Sequence, residues 1–138
     1  MSARETILTA VMTALAGTDG VGIHLYRSRT RAVAADAALA LLVRPVAETP
    51  EQIVITFMDR RLDVELSILA RGDIPDSLAD ATVVSAHGKL MADRTLGGAA
   101  LDVEEGPTEW DFAAADTDLC EVRMRFTVAY RTADNSLT

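Results

Sequence analysis

Between Cys120 and Tyr130 every second position is apolar: Cys120, Val122, Met124, Phe126, Val128 and Tyr130 alternate with Glu121, Arg123, Arg125, Thr127 and Ala129. Successive side chains of a strand point to opposite faces, so this run defines a long strand buried on one side and wetted on the other. A second alternation, Leu62, Val64, Leu66 and Ile68 against Asp63, Glu65 and Ser67, makes the same demand. The chain must therefore build a sheet with one covered face, and something else in the sequence must cover it.

Two helices are available for that task. Ser2 with Glu5 three residues on is a capping box, Ile7, Leu8, Val11, Met12 and Leu15 recur at helical spacing, and Gly17 stops the run. Asp73 and Pro75 open a second helix to about Met91, with Val83, Val84, His87, Leu90 and Met91 as its buried stripe. Between them, Thr18–Gly22 reads as a loop and Ile23, Leu25 and Tyr26 as a short strand. Arg27–Asp36 is either an irregular connector or a helical turn. Leu39–Val46 is a strand closed by Pro45, and Ile53–Met58 is a further strand joined to Leu62–Ile68 by a hairpin turn at Asp59-Arg60-Arg61. Leu96-Gly97-Gly98-Ala99-Ala100 is a flexible turn into a strand from about Ala99 to Val103, with Thr108–Ala113 as its continuation or partner. Helix, strands, helix, strands is an α+β order, so we expect an antiparallel or mixed β-sheet with two helices packed on one face.

A chain of 138 residues suffices for one core, and 49% hydrophobic with 25% charged residues is a globular balance. The expected organisation is one domain over residues 1–138, with a flexible tail at 133–138. No apolar run reaches the roughly 18 to 20 residues of a membrane span, and no signal peptide is legible, so the protein is expected to stay where it is made. Cys120 alone forms no internal disulfide. The net charge of −8 lies entirely in the second half: eight arginines and eight acids cancel over residues 1–71, whereas 72–138 holds five basic residues against thirteen acids. That balance and six aromatic residues argue against nucleic-acid binding.

Catalytic chemistry is sparse. His24 and His87 are far apart, no H-x-x-x-H or H-E-x-x-H spacing supports zinc, and His87, Asp93 and Asp102 form a metal set only if the fold brings them together. Cys120 sits on the apolar face of its strand as a small hydrophobe. Gly97-Gly98 precedes a strand rather than a helix, which removes the phosphate-cradling reading. Asp102, Glu104, Glu105, Glu109 and Asp111 lack the oxygen-ligand spacing of a calcium loop and read as an acidic edge. No catalytic residue, cofactor or metal is expected, and the chain is read as non-enzymatic. Arg27, Arg29, Arg31 and Arg94 against Asp102, Glu104 and Glu105 are instead complementary surfaces for neighbouring copies.

Several segments, in order, resemble the tail terminator or tail completion proteins of long-tailed bacteriophages and prophages. They are the helix Arg4–Leu15, the stretch from Ile23 to Arg29, Leu41–Pro45, His87 with Leu90, Asp93–Val103, Trp110 and the closing Phe126–Thr132. The turn Thr95-Leu96-Gly97-Gly98 and the terminal Tyr130-Arg131-Thr132 carry most of the likeness. One departure is Ala37-Ala38, where such sequences often place a proline. The resemblance implies a homo-oligomeric ring, commonly a hexamer, that caps the tail tube, ends its polymerisation and offers a surface to the head-tail connector. Its partners would be itself, the tube protein and the connector. It would be found in the host cytoplasm during assembly and then at the head-proximal end of the virion tail. Another neck or minor tail component, or a small α+β ligand-binding module, is the alternative.

Overall fold

The computed structural model describes residues 1–28, 38–112 and 118–138. The elements are α1 (Ala3–Leu15), β1 (Leu25–Arg27), β2 (Leu39–Glu51), β3 (Phe57–Arg71), α2 (Pro75–Met91), β4 (Asp102–Phe112) and β5 (Leu119–Ala133), with a 3-10 turn at Leu96–Gly98 before β4. The five strands form one mixed sheet in the order β1-β2-β3-β5-β4, in which β1 runs parallel to β2 and all other neighbours are antiparallel. Both helices lie on one face, as the α+β reading requires.

The covered face is the apolar half of the two alternations. Leu66 stands opposite Met124 and Val43, Val64 opposite Phe126, and Ile68 opposite Val122 and Leu41. Ile7, Leu8, Val11 and Leu15 of α1 and Ala79, Ala86 and Leu90 of α2 close over them in one buried cluster. Cys120 is buried in it, and that burial raises its thiol pKa. The other face is dressed by charge. Arg44 grips the carboxylate of Glu65 at 2.6 and 2.5 Å, Arg125 reaches it at 3.5 Å, and Glu65 is only 3% exposed beneath them. Long arginine stems shield the sheet while their heads stay wet.

The structure corrects several local expectations. The hairpin turn is not at Asp59-Arg60-Arg61: those residues lie within β3, and the chain reverses at residues 52–56, where Thr56 takes a φ of 79°. The strand position is tolerable for three charges because Asp59 meets Arg131 at 2.5 Å and Arg60 reaches Glu48 at 3.7 Å. Ile53–Ile55 is therefore a loop, despite its strand-forming residues. Pro45 does not end β2, which continues to Glu51 through an irregularity between Pro45 and Ala47. Among the described residues β1 accompanies β2 over Leu41–Val43, so there no ladder hydrogen bond to β1 is lost at Pro45.

The stripe of α2 is also rotated. Ala79, Thr82, Ala86 and Leu90 are buried, whereas Val84 is exposed and Val83, His87 and Met91 are half-buried. Small residues let this helix approach the sheet closely, which turns the larger side chains outward. Its N-cap is Ile74 rather than Asp73. In α1 only half of the capping box forms: Ser2 accepts from the Glu5 N–H at 3.2 Å, while the Glu5 carboxylate is taken by Arg27. Ile23 is exposed in the turn before β1. Thr108–Phe112 continues β4 rather than pairing with it, through a bulge between Glu105 and Thr108. The residues after Ser28 in the Arg27–Asp36 segment, and Ala113, lie outside the described residues. The terminal residues are hydrogen-bonded, the Asp134 N–H to Thr56 and the Leu137 carbonyl to the Ala3 N–H.

Candidate functional site

β4 occupies one end of the sheet and pairs only with β5, so it presents a free edge among the described residues. Its eleven residues hold Asp102, Glu104, Glu105, Glu109 and Asp111 and no basic residue. Much of that charge is answered within the chain. Arg94 binds Asp102 at 2.8 and 3.1 Å, Arg61 meets Glu104 at 3.1 Å, His87 bonds Glu105, and Arg123 reaches Asp111 at 3.3 Å. At the other end, Arg27 makes two bonds of 2.6 Å to Glu5, whose carboxyl pKa falls because of that hydrogen-bonded guanidinium. The expected pairs between copies are thus partly realised inside one copy: Arg94 and Asp102 face each other, and Arg27 is held by α1. Arg29 and Arg31 lie outside the described residues.

The turn before β4 is held by one side chain. Asp93 accepts from the Thr95 hydroxyl at 2.7 Å, the Thr95 N–H at 3.0 Å and the Gly97 N–H at 2.8 Å, which together hold its carboxyl below the usual range. Gly97 and Gly98 take φ values of 70° and 93°, a region that side chains resist. This turn fixes where β4 begins. Asp93 is consequently spent on structure, Asp102 on Arg94 and His87 on Glu105, so the three do not converge on a metal. No cluster of three metal-ligating side chains occurs among the described residues. His24 bonds the Tyr26 hydroxyl at 2.8 Å.

The exposed apolar side chains are what the sequence reading missed. Ile53, Val54, Ile55 and Phe57 are exposed at the β2–β3 tip, Ile55 to 85%. Trp110 and Phe112 on β4 are 56% and 57% exposed, and Val84 on α2 is 65% exposed. Between α2 and β4 runs a groove of about 250 Å³, lined by Val83, Val84, His87, Thr108, Met124 and Phe126 among others. A second, shallower groove of about 470 Å³ between α1 and α2 is walled mainly by small residues, Ala10, Ala14 and Ala92, with Lys89 at its side. In the first groove His87 is bonded to Glu105, and in the second Asp93 is bonded to its own turn. The tip had a signal in Pro50 and in the charge-free run that starts at Gln52, but β-branched residues outweighed it.

The described surface thus combines a free sheet edge with exposed apolar patches. No protein-family model matches the sequence, and no curated protein matches it. Among solved structures the chain is similar to one in the virion of a native gene transfer agent particle, with a TM-score of 0.48 and 12% identity over 95% of this chain and 92% of that one. No described helix is long and apolar enough to cross a membrane.

Proposed function

We propose that this chain is a structural protein of a phage-like particle, a ring-forming tail terminator that caps the tail tube and receives the head-tail connector. The observation that carries the reading is the distribution of uncovered apolar surface: one patch at the β2–β3 tip and another along α2 and β4, separated along a single sheet. Two different patches on one chain favour heterologous contacts, which form a ring when the rotation from copy to copy closes. The order of segments resembling tail terminators supports the same reading and adds the tube and connector as partners. In this reading the chain is not an enzyme, and it works in the host cytoplasm before joining the tail.

Within the ring, the arginine-bearing stretch Arg27, Arg29 and Arg31 of one copy faces the acidic β4 of the next, with Glu104, Glu105 and Glu109, which forms no ion pair among the described residues, as its acids. Arg94 and Asp102 brace β4 from within. The test has two parts. Light scattering on a gel-filtration column, with negative-stain imaging, should show a closed ring that loosens as salt rises. Added to polymerising tail tubes, the protein should bind one end and narrow the length distribution. Tubes that elongate unhindered beside intact rings would point to another neck component, and a monomer that binds a small apolar ligand would point to a binding module.

A further inference from the structure

Surface hairpin tips are ordinarily polar, because nothing covers them. Here the tip reads Gln52-Ile53-Val54-Ile55-Thr56-Phe57, without a charge, and its apolar residues are exposed. A bare β-branched run is an aggregation hazard unless a partner takes it. The groove between α2 and β4 has the opposite shape. Its walls Val83, Val84, Met124 and Phe126 are apolar, and Trp110 extends one wall two residues beyond Thr108 on the same face of β4. At about 250 Å³ it falls below the roughly 300 Å³ where small-molecule pockets begin, so it suits side chains better than a metabolite.

We infer that the β2–β3 tip of one copy inserts into the α2–β4 groove of the next. This rests on the ring reading above and names its contact. A copy cannot fill its own groove: the tip meets β5 at Ala133, and Met124 lies nine residues away, about 30 Å along an extended strand. The contact is therefore head-to-tail. Charged groups flank both surfaces. Asp76 and Asp80 precede Val84 at successive four-residue steps on the outer face of α2 and form no ion pair among the described residues. Beside the tip, Arg131 lies 5.8 Å from the centre of the Phe57 ring while its guanidinium is held by Asp59.

Disulfide trapping tests the contact, because the native Cys120 is buried and silent. Ile55→Cys and Val84→Cys both alter exposed side chains, so both variants should fold. Mixed under mild oxidant, they should give a mixed disulfide dimer in about tenfold excess over either variant alone, as a contact worth more than 1.4 kcal/mol requires. A chain carrying both substitutions should give a ladder that stops at the ring size. Equal yields in the mixture and the single variants would overturn the inference, as would no cross-link while both thiols react with a maleimide. The unsubstituted protein's mass separates the two ideas: rings without the mixed disulfide would discard this contact and keep the ring, whereas the mixed disulfide in an open chain of copies would do the reverse.

Discussion

At the scale of single residues, the buried end of the β5 alternation gives the clearest test. The Tyr130 hydroxyl donates to Glu48, which also holds Arg4 at 2.9 Å. Burial first, and then the neighbouring carboxylate, push the Tyr130 pKa up to about 12. An unfolded tyrosine ionises near 10, so the fold favours the protonated form; its contribution is complete below pH 10 and is lost as pH rises to 12. The loss is about 2 to 3 kcal/mol, at 1.36 kcal/mol per unit. Tyrosinate absorbance should show a late step that Tyr130→Phe removes. Glu65 offers the complementary test. Removing both guanidiniums, Arg44→Ala with Arg125→Ala, strands a buried carboxylate and should cost about 3 to 5 kcal/mol in chemical denaturation, whereas either change alone should cost much less. The sequence made Cys120 and Tyr130 readable as core because they end an unbroken alternation. It could not show that Glu65, on the wet face of the same pattern, is buried, since that depends on which arginines lie across it.

At the scale of elements, β4 bends where it must. At its bulge, a Cβ on Gly106 would lie 2.7 Å from the Arg125 carbonyl oxygen, and Pro107 follows. Gly106→Ala should therefore shift the backbone and destabilise the protein by roughly 1 to 3 kcal/mol, seen as a lower urea midpoint. Phe126→Ala, in the buried cluster beneath α2, should cost about 3 to 5 kcal/mol by the same measurement. Both long helices and the last strand were legible because periodicity over ten or more residues averages out single exceptions. The β2–β3 hairpin was not, because its tip is built from strand formers and its strand from charges. There tertiary pairing, Asp59 with Arg131 and Arg60 with Glu48, overrode local preference. The stripe of α2 was misplaced for a related reason: hydrophobicity favours valine for the core, but closeness to the sheet favours alanine.

For the whole molecule, what the residues propose is a ring, and its edges are predicted to be held by apolar insertion with charged flanks. Ile55→Asp should raise the concentration for half-assembly about tenfold while leaving the melting of the isolated copy within a few degrees, as expected for a hot spot on an exposed side chain. High salt should weaken the assembly of the unsubstituted protein less than that substitution does. The acidic second half was legible from charge alone. The assignment of particular acids to a neighbour was not, because an arginine eight residues away in sequence, Arg94, competes for Asp102.

The centre of the sheet is the pairing of β3 with β5, which joins Arg71 to Leu119 at one end and Phe57 to Ala133 at the other. Residues 48 to 76 positions apart must meet before the core closes. Closing such loops is slow, and here it has a clock. During synthesis α1, β2, β3, α2 and β4 all leave the ribosome before β5, so one edge of β3 waits without its ladder partner, and the two helices without half of the sheet they cover, until β5 emerges. Folding is thus tied to the synthesis of β5, and an interrupted copy lacking it would expose its core to quality control rather than enter an assembly.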